Sequence, residues 1–191
     1  MPDPSNLQPE FKYFSAEVFT NVYDGVNQIK MPKSLMILGF SNDKDAAIPV
    51  RHDNYIFRRE VLRDLFAFLR KPNGDALFIT GPTGSGKTSV VNEVCARLNW
   101  PVQLLTLNNR FEFSQLTGHF TYSSQKEGGA PEMTFQYGPL AKAMKYGHVL
   151  VLNEIDLADA GELAGLNDVL EGRPLVLADN AGEIIHPHPL F

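Results

Sequence analysis

The stretch Gly81-Pro82-Thr83-Gly84-Ser85-Gly86-Lys87-Thr88 decides the fold, because it matches the pattern G-x-x-x-x-G-K-[ST] at every defined position. Glycines let a backbone curl so that several N–H groups point at one anion. The residues that follow have the pattern of a helix, whose positive end adds to that attraction. Lys87 can reach the β- and γ-phosphates of a nucleotide, and the Thr88 hydroxyl can ligate Mg²⁺. The predicted nucleotide-binding residues are Gly81, Pro82, Thr83, Gly84, Ser85, Gly86, Lys87, Thr88 and Ser89.

Strands and helices alternate on both sides of this loop. The apolar run Ala76–Ile79 suits a buried parallel strand leading into it. Further along, apolar spacing and turn residues predict a set of helices, strands and one hairpin. These are helices at Glu60–Arg70, Lys87–Leu98, Pro139–Tyr146 and Asp159–Leu170, strands at Pro101–Leu107 and His148–Leu152, and a hairpin at Arg173–His188. Such alternation favours an α/β fold with a parallel sheet.

Bulk composition restricts the class of protein. A chain of 191 residues is long enough for one domain, or for one domain plus a small appendage. The net charge of −5 argues against a protein-wide electrostatic attraction to nucleic acid. The single cysteine, Cys95, lies among apolar helix positions and is interpreted as a small core residue. Since neither a bilayer-length apolar run nor a secretory signal is visible, we expect no membrane contact and a cytoplasmic location.

A second motif bears on hydrolysis. Val149-Leu150-Val151-Leu152-Asn153-Glu154 has four apolar residues followed by a polar pair, the form of a strand beside a phosphate-binding loop. Glu154 is predicted to polarise the attacking water as a general base. Together with Lys87, it completes the predicted catalytic pair.

Asn153 stands where the usual pattern has Asp. Its carbonyl can accept a hydrogen bond from a water bound to Mg²⁺, so Asn153 and Thr88 are the predicted metal-site residues. It lacks the negative charge that steadies a hard cation. Two interpretations follow. Either Asn153 is tolerated and Glu154 still catalyses, or hydrolysis is weakened and the protein acts as a nucleotide-dependent switch.

The motifs of this sequence resemble those of the MoxR class of AAA+ ATPases. Within that class they are most similar to the cobaltochelatase small subunit (CobS) and the CbbQ/NirQ activators. Besides the two motifs, the resemblance rests on Ala96-Arg97-Leu98-Asn99-Trp100-Pro101, Gly138-Pro139-Leu140, Leu170-Glu171-Gly172-Arg173 and His186-Pro187-His188-Pro189-Leu190-Phe191. It covers residues from about Asn54 to the end. The resemblance implies a P-loop NTPase of the AAA+ type, a three-layer sandwich with a parallel sheet, using ATP and Mg²⁺.

The resemblance also implies roles for other segments. Thr117–Tyr137 would be an insert in the second helix, a hairpin near a central pore; an ordinary surface excursion is the alternative. Arg173–His188 would be the hairpin before the sensor strand. Asn108 resembles the switch residue that holds the catalytic Glu, although a plain turn former fits equally well. Tyr55 and Ile56 occupy positions where relatives contact adenine.

Family members are typically ring-forming, often hexameric, and remodel or activate a client, commonly through a partner with a von Willebrand A domain. We therefore expect a homo-oligomeric ring for the full-length protein. Residues 1–50 are interpreted as a leader or small subdomain that packs on its neighbour, and 51–191 as a partial AAA+ domain. The sequence stops about where the family's fourth strand begins. We therefore expect a sheet incomplete at the C-terminus, an unpaired first strand and poor hydrolysis by these residues alone.

Three classes of function stay open from sequence. The first is a remodelling ATPase of the MoxR/CobS type. The second is a nucleotide-gated binding module with weak or no hydrolysis. The third is a DNA-acting P-loop motor, against which the acidic charge counts. His186 and His188 form an H-x-H pair that a metal could use, but the intervening proline and the family's matching segment favour a turn.

Overall fold

The computed structural model describes residues 11–70, 75–123 and 132–191. The chain divides into two compact units, Met1–Val102 and Gln103–Phe191. The described part of the first unit contains β1 (Phe11–Ser15), β2 (Val22–Asp24), β3 (Asn27–Ile29), β4 (Met36–Phe40), β5 (Phe57–Arg58), α1 (Arg59–Arg70) and α2 (Lys87–Arg97).

The strands of the first unit form two small sheets. β1 pairs with β4 in antiparallel fashion, with Phe11 opposite Phe40. β2 forms a hairpin with β3 and a parallel pair with β5, where Val22 lies opposite Phe57. The aromatic side chains of this unit meet edge to face, and the ring centroids of Phe19 and Phe66 lie 4.9 Å apart. Such pairs add to the free energy gained by apolar burial.

α1 follows the periodicity read from the sequence. Leu62, Leu65, Phe66 and Leu69 recur at helical spacing, and all four are buried. They form one apolar stripe, as expected of a helix that packs on a core through one face. The predicted helix at Glu60–Arg70 is thus confirmed.

The C-terminal end of α2 packs on β4. The Phe40 N–H donates to the Leu98 carbonyl oxygen at 2.9 Å. Gly39 permits this approach, since a Cβ there would overlap that same oxygen. Trp100 is fully buried, and its ring meets the Phe40 ring at a centroid distance of 5.5 Å. The strands of the leader and the end of α2 therefore share one core.

The predicted strand at Ala76–Ile79 is wrong. Residues 75–80 have no regular secondary structure, and Leu77 and Phe78 are 40% and 74% exposed. A strand is stable only when its backbone groups find partners in a neighbouring strand. No described strand pairs with these residues.

The described part of the second unit contains short elements around one core. They are β6 (Val102–Thr106), which begins at the boundary, α3 (Ser114–Thr117), β7 (Gly118–Ser123), β8 (Glu132–Tyr137), α4 (Pro139–Tyr146), β9 (Val149–Asn153), α5 (Ala160–Leu163), α6 (Asn167–Leu170), β10 (Leu175–Leu177) and β11 (Glu183–Ile185). β6 pairs with β9, while β7–β8 and β10–β11 are antiparallel hairpins. Both predicted hairpins are confirmed.

α4 supplies the centre of this core. Leu140, Ala141 and Met144 are fully buried against residues from α3, β10 and β11. Its ends carry the expected signals: Pro139 at the first helical position and Gly147 just past the end, with a positive φ of 71°. These local signals explain why the predicted and observed bounds of this helix agree.

The predicted helix at Asp159–Leu170 is interrupted. A 3-10 turn at Ala164–Leu166 separates α5 from α6. At Gly165 a Cβ would lie 2.7 Å from the Phe113 ring, so the backbone approaches that ring closely. Because a 3-10 turn winds more tightly than an α-helix, with about three residues per turn, it offsets the apolar face of α6 from that of α5. Leu166 and Val169 are buried, whereas Leu170 is 52% exposed.

The fold class is α/β, as predicted, but the sheet is fragmented. The described residues form five separate small sheets. The three-layer sandwich around one parallel sheet therefore stays a prediction.

Leu140→Ala should lower the free energy of unfolding by about 2–5 kcal/mol, because it leaves a cavity in the core of the second unit. Leu170→Ala is the matched control and should cost less than about 0.5 kcal/mol, since that side chain is half exposed. Urea unfolding of both variants measures the difference. Equal effects would show that α4 does not form the core.

Candidate nucleotide-binding site

The loop at Gly81–Thr88 has the backbone that its glycines predict. Gly81, Gly84 and Gly86 have φ values of 155°, 76° and 86°. An L side chain rarely adopts these angles, whereas glycine does so freely. α2 begins at Lys87 directly after Gly86. The loop thus leads into a helix N-terminus, the arrangement that attracts phosphate.

The Lys87 ammonium group lies over the loop. Its Nζ donates to the carbonyl oxygens of Gly81 at 2.9 Å and of Pro82 at 3.0 Å. Residues 81–85 are exposed to solvent, so an anion can reach the loop from outside. The positive charge and the helix N-terminus therefore face the same exposed turn.

A cavity of about 440 Å³ lies beside the start of α2. The Tyr55 hydroxyl lies 4.0 Å from the position that a Cβ on Gly86 would occupy, which places this wall next to the loop. Ile56, the other predicted base contact, is 61% exposed and does not line the cavity. The lining residues are Pro49, Val50, His52, Tyr55, Ser89, Asn92 and Glu93.

Two lining residues have distinctive polar groups. The side-chain oxygen of Asn92 is buried without a hydrogen-bond partner among the described residues. The pKa of Tyr55 is raised, first by burial and then by the nearby Glu93 carboxylate, so its hydroxyl stays protonated at neutral pH. The cavity thus offers a hydroxyl next to the loop at residues 81–88.

A buried ion pair lies behind this cavity. Glu93 and Arg97 are one turn apart on α2, and their side chains are 4% and 0% exposed. Arg97 donates through Nη1 to the Glu93 carboxylate and through Nη2 to the His52 carbonyl oxygen at 2.9 Å. Burial alone would raise the pKa of Glu93, but hydrogen bonds from Arg97 and His52 outweigh it and lower that pKa. Sequence reasoning missed this cluster, because its His52 partner is distant along the chain.

The second predicted motif lies in the second unit. β9 ends at Asn153, whose carbonyl oxygen accepts from the Leu107 N–H at 2.9 Å. Glu154 follows with φ 54° and ψ 45°, a left-handed conformation that is uncommon for a residue with a side chain. Its side chain is exposed. Strained backbone of this kind concentrates at functional sites, which makes Glu154 a candidate on structural grounds as well.

The structure also shows the contacts or burial of three other residues for which the sequence made predictions. Asn108 accepts the Arg110 N–H through its side chain at 2.8 Å, which is the turn-forming alternative; its switch role stays a prediction. Cys95 is a core residue, and burial raises the pKa of its thiol to about 12. His188 lies in a turn, where its Nδ1 accepts the Leu190 N–H at 3.2 Å.

The β7–β8 hairpin exposes apolar side chains. Phe120, Tyr122 and Met133 of β7 and β8 are 41%, 76% and 52% exposed. The predicted flexible tip at 128–131 lies outside the described residues. The hairpin itself is observed, and its proposed contact with a substrate stays a prediction.

Residues 76–190 match the family model of the AAA domain, dynein-related subfamily. The chain belongs to this family. AAA domains bind nucleotide, usually with Mg²⁺, and they commonly assemble into rings. Within residues 11–70, 75–123 and 132–191, no group of three or more His, Cys, Asp or Glu side chains is placed to hold a metal ion. Nor does any helix in these ranges have the length and apolar character to cross a membrane.

Several relatives are bacterial proteins described as uncharacterised. The chain is 34% identical to one from Staphylococcus saprophyticus over 138 residues, which is 72% of this chain and 52% of the relative. It is 34% and 35% identical to proteins of Staphylococcus haemolyticus and Staphylococcus epidermidis over 115 residues, 60% of this chain and 43% of each relative. The chain thus spans about half the length of the curated relatives it matches.

The lowered pKa of Glu93 predicts a pH dependence of stability. Because the pKa of the Glu93 carboxyl is lower in the folded state than its ordinary value of 4.5, the stabilisation is present above 4.5 and is lost as the pH falls below 4.5 through the folded-state pKa. Glu93→Gln should therefore flatten the fall in unfolding free energy that the parent shows as the pH is lowered below 4.5, measured by urea unfolding. Val90→Ala, also buried on α2, should lower stability at every pH and keep the parent's slope. A parental slope in Glu93→Gln would contradict the assignment.

Proposed function

We propose that the protein is an ATP-hydrolysing AAA+ ATPase of the MoxR/CobS type, which couples hydrolysis to remodelling or activation of a partner protein. The observation that carries the nucleotide part is the phosphate-binding loop: three glycines with positive φ lead directly into α2, and Lys87 lies over the turn. Membership of the AAA family supports it independently. The MoxR/CobS type and the partner rest on the sequence motifs alone.

The phosphate end of ATP would bind at residues 81–89. Backbone N–H groups of the loop would face the β-phosphate, and Lys87 would exchange its two carbonyl partners for β- and γ-phosphate oxygens. The Thr88 hydroxyl would hold Mg²⁺, and Asn153 would accept a hydrogen bond from a metal-bound water. The Thr88 hydroxyl and the Asn153 side-chain oxygen are both neutral. Neutral oxygen groups suit a Mg²⁺ site when the phosphates supply the negative charge. Bound Mg²⁺ neutralises charge that develops on the phosphates.

The base end of ATP would occupy the cavity beside Tyr55. A planar base fits its mixed apolar and polar lining, and the Tyr55 ring offers a face or an edge for it. Ser89 lines the same cavity one residue after Thr88, between the base and the phosphates.

Glu154 would act as the general base on the attacking water. Its exposed carboxylate follows the end of β9 in a strained conformation, which fixes the direction of its side chain. Since Asn153 adds no charge there, the negative charge of this pair belongs to Glu154 alone.

A nucleotide-gated binding module is the second candidate. The observation that favours it is Asn153 in place of Asp, which reduces the attraction for Mg²⁺. For the first candidate we also propose a homo-oligomeric ring, a client protein and a partner with a von Willebrand A domain. The net charge of −5 disfavours the DNA-acting motor.

Lys87→Ala should weaken ATP binding by at least about tenfold, because a charge-assisted contact to phosphate is lost. Isothermal titration calorimetry on the full-length protein measures it. Lys142→Ala, an exposed lysine of α4, is the matched control and should bind ATP as the parent does. Unchanged affinity in Lys87→Ala would remove the basis for the nucleotide site.

Glu154→Gln should retain ATP binding and lower steady-state turnover by about 10²-fold or more, because the general base is removed. Asn153→Asp should leave turnover unchanged or raise it, since it restores a charged partner for the metal site. Glu60→Gln, an exposed glutamate in the first turn of α1, is the control for loss of a carboxylate.

Turnover in Glu154→Gln equal to the parent's would refute the role of the base. If the parent binds ATP without turning it over, the gated module becomes the better description. Salt-dependent DNA affinity of the full-length protein would revive the motor.

A further inference from the structure

One wall of the cavity is a loop that little apolar burial holds in place. Residues 49–56 have no regular secondary structure, and most of them are exposed, Val50 by 77% and Ile56 by 61%. A loop of this kind, with few buried apolar contacts, is expected to move on its own. Its position therefore depends on polar contacts.

Most of those contacts converge on His52 and come from α2, while the Asn21 side chain donates to the Asp53 carbonyl oxygen at 3.1 Å. The His52 N–H donates to both carboxylate oxygens of Glu93, at 3.2 and 3.3 Å, and its ring Nδ1 lies 2.5 Å from one of them. The His52 carbonyl oxygen accepts from Arg97 at 2.9 Å. The backbone of one loop residue is thus bound on both sides, and its ring is bound as well.

The two charged residues are themselves fixed. Arg97 also donates to the Glu93 carbonyl oxygen at 3.0 Å, and its guanidinium carbon lies 4.6 Å from the Phe57 ring centroid. Together Glu93, Arg97 and His52 form what we call the His52 clamp. Because its two charged members lie on the helix that starts at Lys87, one rigid element carries the phosphate loop at one end and the clamp further along.

Stability alone does not account for the clamp. A buried ion pair is on average no more stabilising than well-packed apolar residues of similar volume. Here the Arg97 Nε is buried without a hydrogen-bond partner among the described residues, which is a further cost. Such a pair is well explained by a requirement for one loop position, since its hydrogen bonds are directional.

We propose that Glu93 and Arg97 are positioning residues for the nucleobase end of the ATP site. They hold His52, and with it the cavity wall that includes Tyr55, against α2 before the nucleotide arrives. The distance between the base wall and the phosphate loop is then set by one helix. This inference rests on the proposed function, because it takes the cavity to be the base subsite.

The clamp makes a selective prediction about affinity. Ligands that use the base wall should require the clamp, whereas ligands that use only the phosphate loop should not. ATP and inorganic tripolyphosphate are two such probes. When the cavity wall is correctly placed in only a fraction of the molecules, the apparent affinity falls to that fraction of its full value.

The decisive variant is the double substitution Glu93→Leu with Arg97→Met in the full-length protein. It replaces the buried pair by apolar side chains of similar size, a change that proteins often tolerate in stability. The dissociation constant for ATP should rise about tenfold, as expected if about a tenth of the molecules keep the wall in place. That for tripolyphosphate should change by less than about twofold, both measured by calorimetry.

Asp53→Asn is the matched control in the same loop. Asp53 pairs with Arg51 on the surface, at 2.9 Å and with its side chain 82% exposed, and is not part of the clamp. Both ligands should bind this variant as they bind the parent. Arg97→Lys is a second test. It preserves the buried charge and the fold but removes the guanidinium group, whose two Nη atoms donate to Glu93 and His52. It should show the same selective loss for ATP, to a smaller extent.

Three results would overturn the inference. These are unchanged ATP affinity in the folded double variant and in Arg97→Lys, equal weakening of ATP and tripolyphosphate, or the same loss in Asp53→Asn. Failure of the proposed function looks different, because Lys87→Ala would then leave the affinity for both ligands at the parent's value.

Discussion

The structure depends on one constraint: the turn at residues 81–86 has to curl through backbone angles that favour glycine and still lead directly into α2. Glycines at positive φ give the curl, and α2 gives the rigidity. α2 can be rigid because Val94, Cys95 and Leu98 bury its far end in the core of the first unit. The same helix then carries the Glu93–Arg97 pair. Phosphate binding, core packing and the cavity wall thus all depend on eleven residues of helix.

Much of this was predictable from local signals. The phosphate loop, α1, α4 and both hairpins agree with the sequence, because glycine, proline and apolar spacing act within a few residues of chain. Ala76–Ile79 was wrong for the opposite reason. Its composition suits a buried strand, but strand formation requires a partner from elsewhere, and the described residues provide none. The interruption at Gly165 likewise depends on Phe113, which is distant in sequence.

The candidate site shows the same division. Residues 81–89 could be named from their pattern, since the chemistry of phosphate binding requires that spacing. Tyr55 was predicted by resemblance and lines the cavity, but its neighbours His52, Asn92 and Glu93 carry no motif. Their importance comes from contacts across about forty residues of chain, as between His52 and Glu93. The left-handed backbone conformation of Glu154 was not predictable either, because none of the neighbouring residues in the sequence requires a positive φ there.

The contact between Gly39 and the Leu98 carbonyl oxygen bears on how the protein can be divided. The strands at 11–40 pack on Trp100 and hydrogen-bond to the C-terminal end of α2. They therefore cover the core against which α2 packs. A recombinant version trimmed to the family-matched region would uncover a tryptophan and leave a helix end without its donor. Expression boundaries for this protein therefore belong before β1. A side chain introduced at position 39 would have the effect of trimming without any deletion.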